Sequence, residues 1–205
     1  MNELFNSFVV LFIVIDPLGV AAIFAALSLR TERQAQRKMA LIGTAVATAI
    51  LIVFYLLGDW LLKILGIGIP AFRIAGGILL FLLAIDMVFA RQSGLRSTTD
   101  REHHEAQSKL DLSIFPLAFP LLAGPGAMTT VLLMASAATT PAISIGLFAV
   151  LMIVMIITLF SLLFAPSIMH AIGETGANVV NRMLGLILSA LAVQYVLDGV
   201  KSALA

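Results

Sequence analysis

Two short segments place a carboxylate, prolines and glycines inside stretches that are otherwise apolar. The first is Asp16-Pro17-Leu18-Gly19 and the second is Gly124-Pro125-Gly126, and 108 positions separate their prolines. Proline removes a backbone hydrogen bond from a helix and clashes with the preceding turn, and glycine destabilises a helix further. The sequence therefore predicts a break in a helix at each segment, and we interpret the two breaks as partners.

A break inside a membrane helix exposes polar backbone groups. Unpaired N–H and C=O groups are tolerated at membrane depth only where protein buries them or where they line a wet cavity. The half-helices that begin after Pro17 and after Pro125 would direct their partly positive N-terminal ends inward, which suits a carboxylate. Asp16 would receive an ammonium group or carry a coupling proton. We therefore expect a site for a zwitterion between the two breaks.

The predicted solute site combines the residues of both breaks with two hydroxyl side chains that follow the second break. The glycines keep the pocket small, and the hydroxyl groups would add hydrogen bonds. Two alternatives remain open: the prolines only kink their helices for packing, and the aspartate caps the half-helix that follows it, a role compatible with solute contact. The predicted residues are Asp16, Pro17, Gly19, Gly124, Pro125, Gly126, Thr129 and Thr130.

The composition is that of an integral membrane protein. Of the 205 residues, 61% are hydrophobic and only 11% are charged, and the mean hydropathy is +1.11, well outside the range of soluble domains. A membrane helix needs about 20 apolar residues, so the chain has room for about six spans and no soluble catalytic domain. The net charge of +1 gives no indication of a nucleic-acid partner.

The chain lacks the motifs of common catalytic and metal centres. It contains no cysteine, no His-Glu-x-x-His sequence and no Gly-x-Ser-x-Gly sequence, so the usual zinc and nucleophile motifs are missing. The adjacent His103, His104 and Glu105 lie in a mixed-charge segment, where such side chains are usually solvated. We therefore expect neither an enzyme nor a cofactor or metal.

The apolar stretches predict an all-α membrane protein with six spans, the fourth irregular in its first half because it contains Pro116 and Pro120. Only Met1-Asn2-Glu3 precedes the first span, without the basic flank of a signal peptide, so we expect that span to be retained. A basic water-facing loop, 30–38, should separate the first two spans. The predicted spans cover approximately residues 4–29, 39–65, 70–90, 112–135, 142–165 and 179–200.

The two halves of the chain repeat one pattern. Pro17 precedes Arg73 by 56 positions, and Pro125 precedes Arg182 by 57; both arginines begin an Arg-x-x-Gly sequence. We therefore predict a first three-helix repeat at 1–91, a cytosolic linker at 92–111 and a second repeat at 112–205, with a broken first helix in each. Because three spans is an odd number, the two repeats would be inverted in the membrane, as in many secondary transporters.

The distribution of basic residues predicts the orientation. With the amino terminus outside, nine of the twelve cations lie in inside loops or at the inner ends of spans, and only Lys63, Arg73 and Lys201 lie outside. The positive-inside rule therefore places both termini outside. Arg73 and Arg182 have two possible roles, as gating residues or as interfacial anchors whose side chains reach the headgroups.

Four segments resemble a known family: residues 15–19, 72–78, 115–127 and 182–186. The third has the specific sequence Phe-Pro-Leu-Ala-Phe-Pro-Leu-Leu-Ala-Gly-Pro-Gly-Ala. Together they are similar to the signature segments of the MarC family of bacterial and archaeal inner-membrane proteins. The resemblance covers nearly the whole chain.

The resemblance implies a multi-pass transporter of the cytoplasmic (inner) membrane, since the family is classed with neutral amino acid transporters. Some members are linked to proton-coupled uptake of glycine and alanine, so the expected partners are a small neutral amino acid, a coupling proton or sodium ion, and the lipid bilayer. Two other functions remain open: export of other small metabolites, and a non-transporting membrane scaffold with a dry, well-packed centre. The sequence does not indicate an oligomeric state.

Overall fold

The structure, a computed structural model, describes residues 2–28, 31–89 and 113–204, and all regular secondary structure in these ranges is helical. The predicted linker 92–111, which includes the two adjacent histidines, lies outside the described residues. The helices are α1 Asn2–Ile15, α2 Pro17–Leu27, α3 Arg33–Ile64, α4 Ile69–Phe89, the π-helix α5 Ser113–Leu122, α6 Pro125–Ala137, α7 Pro141–Leu163 and α8 Ala165–Leu204.

Five helical segments are long and apolar enough to cross a membrane: Glu3–Leu27, which contains the first break, and Arg33–Ile64, Ile69–Phe89, Pro141–Leu163 and Thr175–Leu204. The described part of the chain is therefore all-helical with five candidate spans, where the sequence predicted six.

The fourth predicted span differs from the others. It consists of the 10-residue α5 and the 13-residue α6, neither of which is long enough to cross alone. The predicted irregular first half of this span is confirmed, because α5 is a π-helix. Pro116 and Pro120 lack a backbone N–H group, so the regular α-helical hydrogen-bond pattern cannot be completed there.

The prediction of a loop at 30–38 is wrong for residues 33–38, because α3 already begins at Arg33. Arginine, lysine and glutamine are good helix formers, so the helix extends beyond the apolar part of the sequence. The side-chain amide of Gln36 donates a hydrogen bond of 2.7 Å to the backbone carbonyl of Ser28. This bond fastens the end of α2 to the first turns of α3.

The last span is preceded by a kink at Gly173, which has φ 70° and ψ 166° inside α8. A positive φ favours glycine, because a Cβ atom would be strained there. The helix itself begins earlier than the predicted residue 179.

Helices α4 and α8 form the most extensive helix pair and run antiparallel. Near one end, Gly185 of α8 lies against the backbone carbonyl of Ala84; at the other, Gly199 lies against the carbonyl of Pro70. A Cβ atom added at Gly199 would be only 2.9 Å from that carbonyl oxygen. Small residues allow such close contact between membrane helices, where the hydrophobic effect does not drive association.

The helix contacts are reciprocal between the two halves of the chain. Helix α3 packs on α5 and α6, and its counterpart α7 packs on α1 and α2. Helix α2 packs on α8, as α6 packs on α4, and α3 also contacts α7. When each of α1 to α4 is exchanged with its counterpart among α5 to α8, each of these contacts becomes another of them, and the α3–α7 contact becomes itself.

The broken helices occupy the centre of the protein. In the most apolar part of Glu3–Leu27, 56% of residues are buried, against 22–33% in the other four candidate spans. Most of α6 is also buried, including the run from Thr129 to Met134. Central positions suit the breaks, because irregular backbone is tolerated at membrane depth only where protein surrounds it or water reaches it.

Candidate functional site

The first break falls at Asp16, between α1 and α2, as the sequence predicted. Asp16 has a left-handed backbone conformation, with φ 54° and ψ 65°, and its residue surface is 0% exposed. Its N–H group donates to the carbonyl of Phe12, and its carbonyl accepts from the N–H group of Val20. The chain therefore turns at one residue while the backbone hydrogen bonds on both sides continue.

The carboxylate of Asp16 caps α2. Its Oδ1 atom accepts a hydrogen bond of 3.0 Å from the N–H group of Gly19, and Pro17 occupies the first helical position, where no N–H group is needed. The capping role that the sequence left open is therefore present. A Cβ atom at Gly19 would collide with Asp16 Oδ2, so this position requires glycine for space.

Asn181 of α8 reaches the same place. A Cβ atom at Gly19 would collide with Asp16 Oδ2 and would lie 3.0 Å from Asn181 Oδ1, so both oxygen atoms lie next to Gly19, on the side where a side chain would begin. Asn181 Oδ1 is buried and has no hydrogen-bond partner within the described parts of the chain. Sequence analysis missed Asn181, although its position directly before the Arg-x-x-Gly repeat was a signal that could have identified it.

The second break lies between α5 and α6, again as predicted. Gly124 precedes α6 in an extended conformation, with φ −71° and ψ 169°, and no side chain caps this helix. The first helical hydrogen bond of α6 runs from the N–H group of Met128 to the carbonyl of Gly124. A Cβ atom at Gly124 would collide with the carbonyl oxygen of Pro120, so glycine is required here as well.

The two breaks approach each other through Val14 of α1. A Cβ atom at Gly126 would lie 3.6 Å from Val14 Cγ1, and both residues line a cavity of about 20 Å³. This volume accommodates about one water molecule, so the cavity in this conformation is too small for an amino acid. The cavity is lined by Val14, Leu79, Leu83, Pro120, Leu121, Gly124, Pro125, Gly126 and Ala127.

The predicted site residues thus fall into separate groups. Gly124, Pro125 and Gly126 line the cavity, whereas Asp16, Pro17 and Gly19 form the buried start of α2.

The two threonines belong to neither group. Thr129 packs against Gly76 of α4 at a distance that leaves no room for a Cβ atom there. Thr130 is fully buried, and its hydroxyl oxygen has no hydrogen-bond partner among the described residues.

The two arginines lie towards opposite ends of the α4–α8 pair. Arg73 is half-buried in the second turn of α4 and acts electrostatically on Tyr195, together with Asp198 of α8. Arg182 is exposed on α8, one turn before Gly185, which packs against Ala84 and Met87 near the end of α4. Neither arginine touches the cavity between the breaks.

No group of three or more histidine, aspartate or glutamate side chains that could hold a metal ion occurs in the described ranges. The charged pair of Lys63 Nζ and Asp59 Oδ2, 2.6 Å apart, lies on the exposed end of α3 beside Trp60, whose surface is 60% exposed. These residues are far along the chain from both breaks and suit the membrane–water interface.

The family model described as "MarC family integral membrane protein" matches residues 1–204. The chain is 36% identical to "UPF0056 membrane protein MJ1677" of Methanocaldococcus jannaschii, covering 97% of this chain and 96% of that protein. It is 29% identical to "UPF0056 membrane protein YhcE" of Escherichia coli, covering 96% of this chain and 91% of that protein. The similar proteins therefore come from both archaea and bacteria. No solved structure matches the chain.

Proposed function

Because the chain belongs to the MarC family of integral membrane proteins, we propose that it is a secondary transporter of small neutral amino acids such as glycine and alanine. The supporting observation is that two helix breaks, distant in sequence, are both buried and approach each other at the centre of the protein. Discontinuous helices that meet near the midplane are the usual binding architecture of secondary transporters.

The proposal includes six spans in two inverted repeats. In this arrangement α5 and α6 cross the membrane together as the fourth span, in the way that α1 and α2 together form the first. The reciprocal helix contacts support this exchange of halves, and the antiparallel course of α4 and α8 is consistent with it. An inverted pair of repeats provides two similar conformations, one open to each side, which alternating access requires.

The two breaks offer different chemistry to the two ends of a zwitterion. At α6, the N–H groups of Gly126 and Ala127 precede the first helical hydrogen bond, and no side chain caps them. They suit the solute carboxylate, which the helix dipole also favours. At α2, the N–H group of Gly19 is already bonded to Asp16. The Asp16 carboxylate therefore suits the solute ammonium group.

Transport requires the closed cavity to open. At about 20 Å³ it holds about one water molecule, so a bound amino acid would need the helices around the breaks to separate. In the proposed cycle the cavity opens first to one side and then to the other. A proton on Asp16 or a sodium ion would couple the cycle to an ion gradient.

The proposed location is the cytoplasmic membrane with both termini outside. The support is the distribution of cations along the sequence, nine inside against three outside. The exposed Trp60 and the Lys63–Asp59 pair are consistent with an outer interface at the end of α3.

Uptake by the purified full-length chain tests the proposal. Proteoliposomes should accumulate labelled glycine or alanine faster with an inward proton or sodium gradient than without one. Asp16→Asn should reduce uptake at least tenfold, roughly the effect of losing a hydrogen-bonded charge. Asp59→Asn, on the exposed end of α3, is the matched control and should transport normally. Failure of the unmodified protein to move any small zwitterion would refute the proposal.

One observation favours the alternative of a non-transporting scaffold. The cavity between the breaks is small, and α4 and α8 pack closely through glycines, which also suits a protein whose helices serve association alone. The Asp16→Asn experiment separates the two functions, because a scaffold has no solute flux to lose.

A further inference from the structure

Asn181 of α8 brings to the first break a buried polar atom that has no hydrogen-bond partner among the described residues. Its Oδ1 atom lies beside Gly19, on the same side as Asp16 Oδ2. Within the described ranges no hydrogen-bond donor reaches this oxygen. Buried polar atoms are nearly always paired, and an exception indicates a ligand, an ion or a water molecule.

Both oxygen atoms at this position accept hydrogen bonds and do not donate them. An ionised carboxylate is only an acceptor, and the Oδ1 atom of an asparagine is its acceptor end. Two acceptor atoms on the same side of Gly19 favour a group with several donors and a positive charge. A protonated amino group has three N–H donors and matches this pair.

The second half of the chain supplies this acceptor, and the first half does not. Asn181 directly precedes Arg182, whereas the residue directly before Arg73 is Phe72. Helix α8 packs on α2 just as α4 packs on α6. The first break therefore has the Asp16 and Asn181 side chains beside it, whereas the N-cap of α6 is Gly124, which has no side chain to cap the helix. This difference gives the site one end for a donor and one for an acceptor.

We propose that Asn181 is a solute-binding residue whose Oδ1 atom, together with the Asp16 carboxylate, accepts hydrogen bonds from the amino group of the transported amino acid. The assignment rests on the proposed transport function and adds the orientation in which the solute binds. The solute binds with its amino group towards α2 and α8 and its carboxylate towards α6. Solutes without an amino group lose both contacts.

Kinetics of glycine uptake by the full-length chain in proteoliposomes test this role. Asn181→Leu removes the acceptor at nearly constant volume and should raise the KM for glycine by about tenfold, the effect of one hydrogen bond to a charged group. Gln194→Leu, an amide replacement at an exposed position of the same helix, should change neither KM nor the maximal rate.

A second solute separates binding from a purely structural role. N,N-Dimethylglycine keeps one N–H donor of the three, so the unmodified chain should prefer glycine, and Asn181→Leu should weaken that preference. A defect in folding would lower the maximal rate for both solutes alike. If Asn181→Leu does not reconstitute, Asn181→Ser, which keeps a shorter acceptor, is measured in its place and should show a raised KM with the maximal rate retained.

The outcomes distinguish the two proposals. Glycine uptake by the unmodified chain, combined with an unchanged KM and an unchanged preference in Asn181→Leu, would overturn the assignment and leave the transport function standing. No uptake of any small zwitterion by the unmodified chain would overturn both.

Discussion

Asp16 combines three features that each cost free energy at the level of a single residue. It is a carboxylate with no exposed surface, it has a left-handed backbone, and it interrupts a membrane helix. Such a residue persists only where its surroundings hold it in place. Here the Gly19 N–H group, the backbone bonds to Phe12 and Val20, and the proline at the first position of α2 provide that support.

Gly19→Ala should therefore be destabilising. The added Cβ atom would collide with Asp16 Oδ2 and displace the carboxylate from its capping position. The loss of an N-cap lowers the free energy of unfolding by about 1 kcal/mol, and thermal unfolding of the purified protein in detergent measures it. Gly68→Ala is the matched control, because its Cβ atom would lie 3.6 Å from Pro70 Cδ, an ordinary contact. Equal unfolding temperatures for the two variants would contradict this role of Gly19.

At the level of elements, the α4–α8 pair is built on backbone contacts. Gly77 lies against the carbonyl of Ala192, and Gly199 lies against the carbonyl of Pro70. Backbone atoms cannot rotate away as side chains do, so the two helices must move apart to admit even a methyl group. The close approach of this pair depends on glycine at these contact points.

Gly77→Ala should consequently separate α4 from α8. The new Cβ atom would lie 2.8 Å from the carbonyl oxygen of Ala192, and overpacking of this kind costs about 1–3 kcal/mol. In Gly146→Ala, the control, the new atom would meet only the end of the Leu4 side chain, 2.9 Å away, which can change rotamer. A larger loss of thermal stability in the control than in Gly77→Ala would refute this explanation.

For the whole molecule, the reciprocal contacts connect the packing with the proposed inverted topology. Exchange of the two halves relates the contacts of α3 to those of α7 and the contacts of α2 to those of α6. Repeats threaded in opposite directions and related by a two-fold axis in the membrane plane produce this pattern of pairs. The direction of each segment is therefore the decisive property to measure.

Single cysteines can report these directions, because the chain contains none of its own. In intact cells, a membrane-impermeant thiol reagent should label Thr139→Cys, between α6 and α7, and Ser202→Cys, near the carboxyl terminus. Arg37→Cys, exposed on the first turns of α3, should react only after permeabilisation. If α5 and α6 did not cross the membrane together, Thr139→Cys would lie on the same side as Arg37→Cys and would also react only after permeabilisation. The chain would then have five spans instead of six.

The sequence alone determined the membrane class and the places where the helices break. Both depend on local chemistry: the apolar composition requires helical spans, and the residues around Pro17 and Pro125 cannot complete a regular helix. The irregular helix α5 follows from Pro116 and Pro120 in the same way. The start of α3 at Arg33 was missed because hydropathy marks the apolar part of a helix and does not mark its polar extension.

Only the tertiary structure decided which distant residues meet. It placed Asn181 beside Gly19, packed Thr129 against Gly76 instead of at a break, and left a cavity of about 20 Å³ between the breaks. These contacts join residues far apart in the chain, and they depend on how the helices rotate and cross when they pack. Helix periodicity limits which side chains share a face, but the neighbour of that face is fixed only when all helices are packed together.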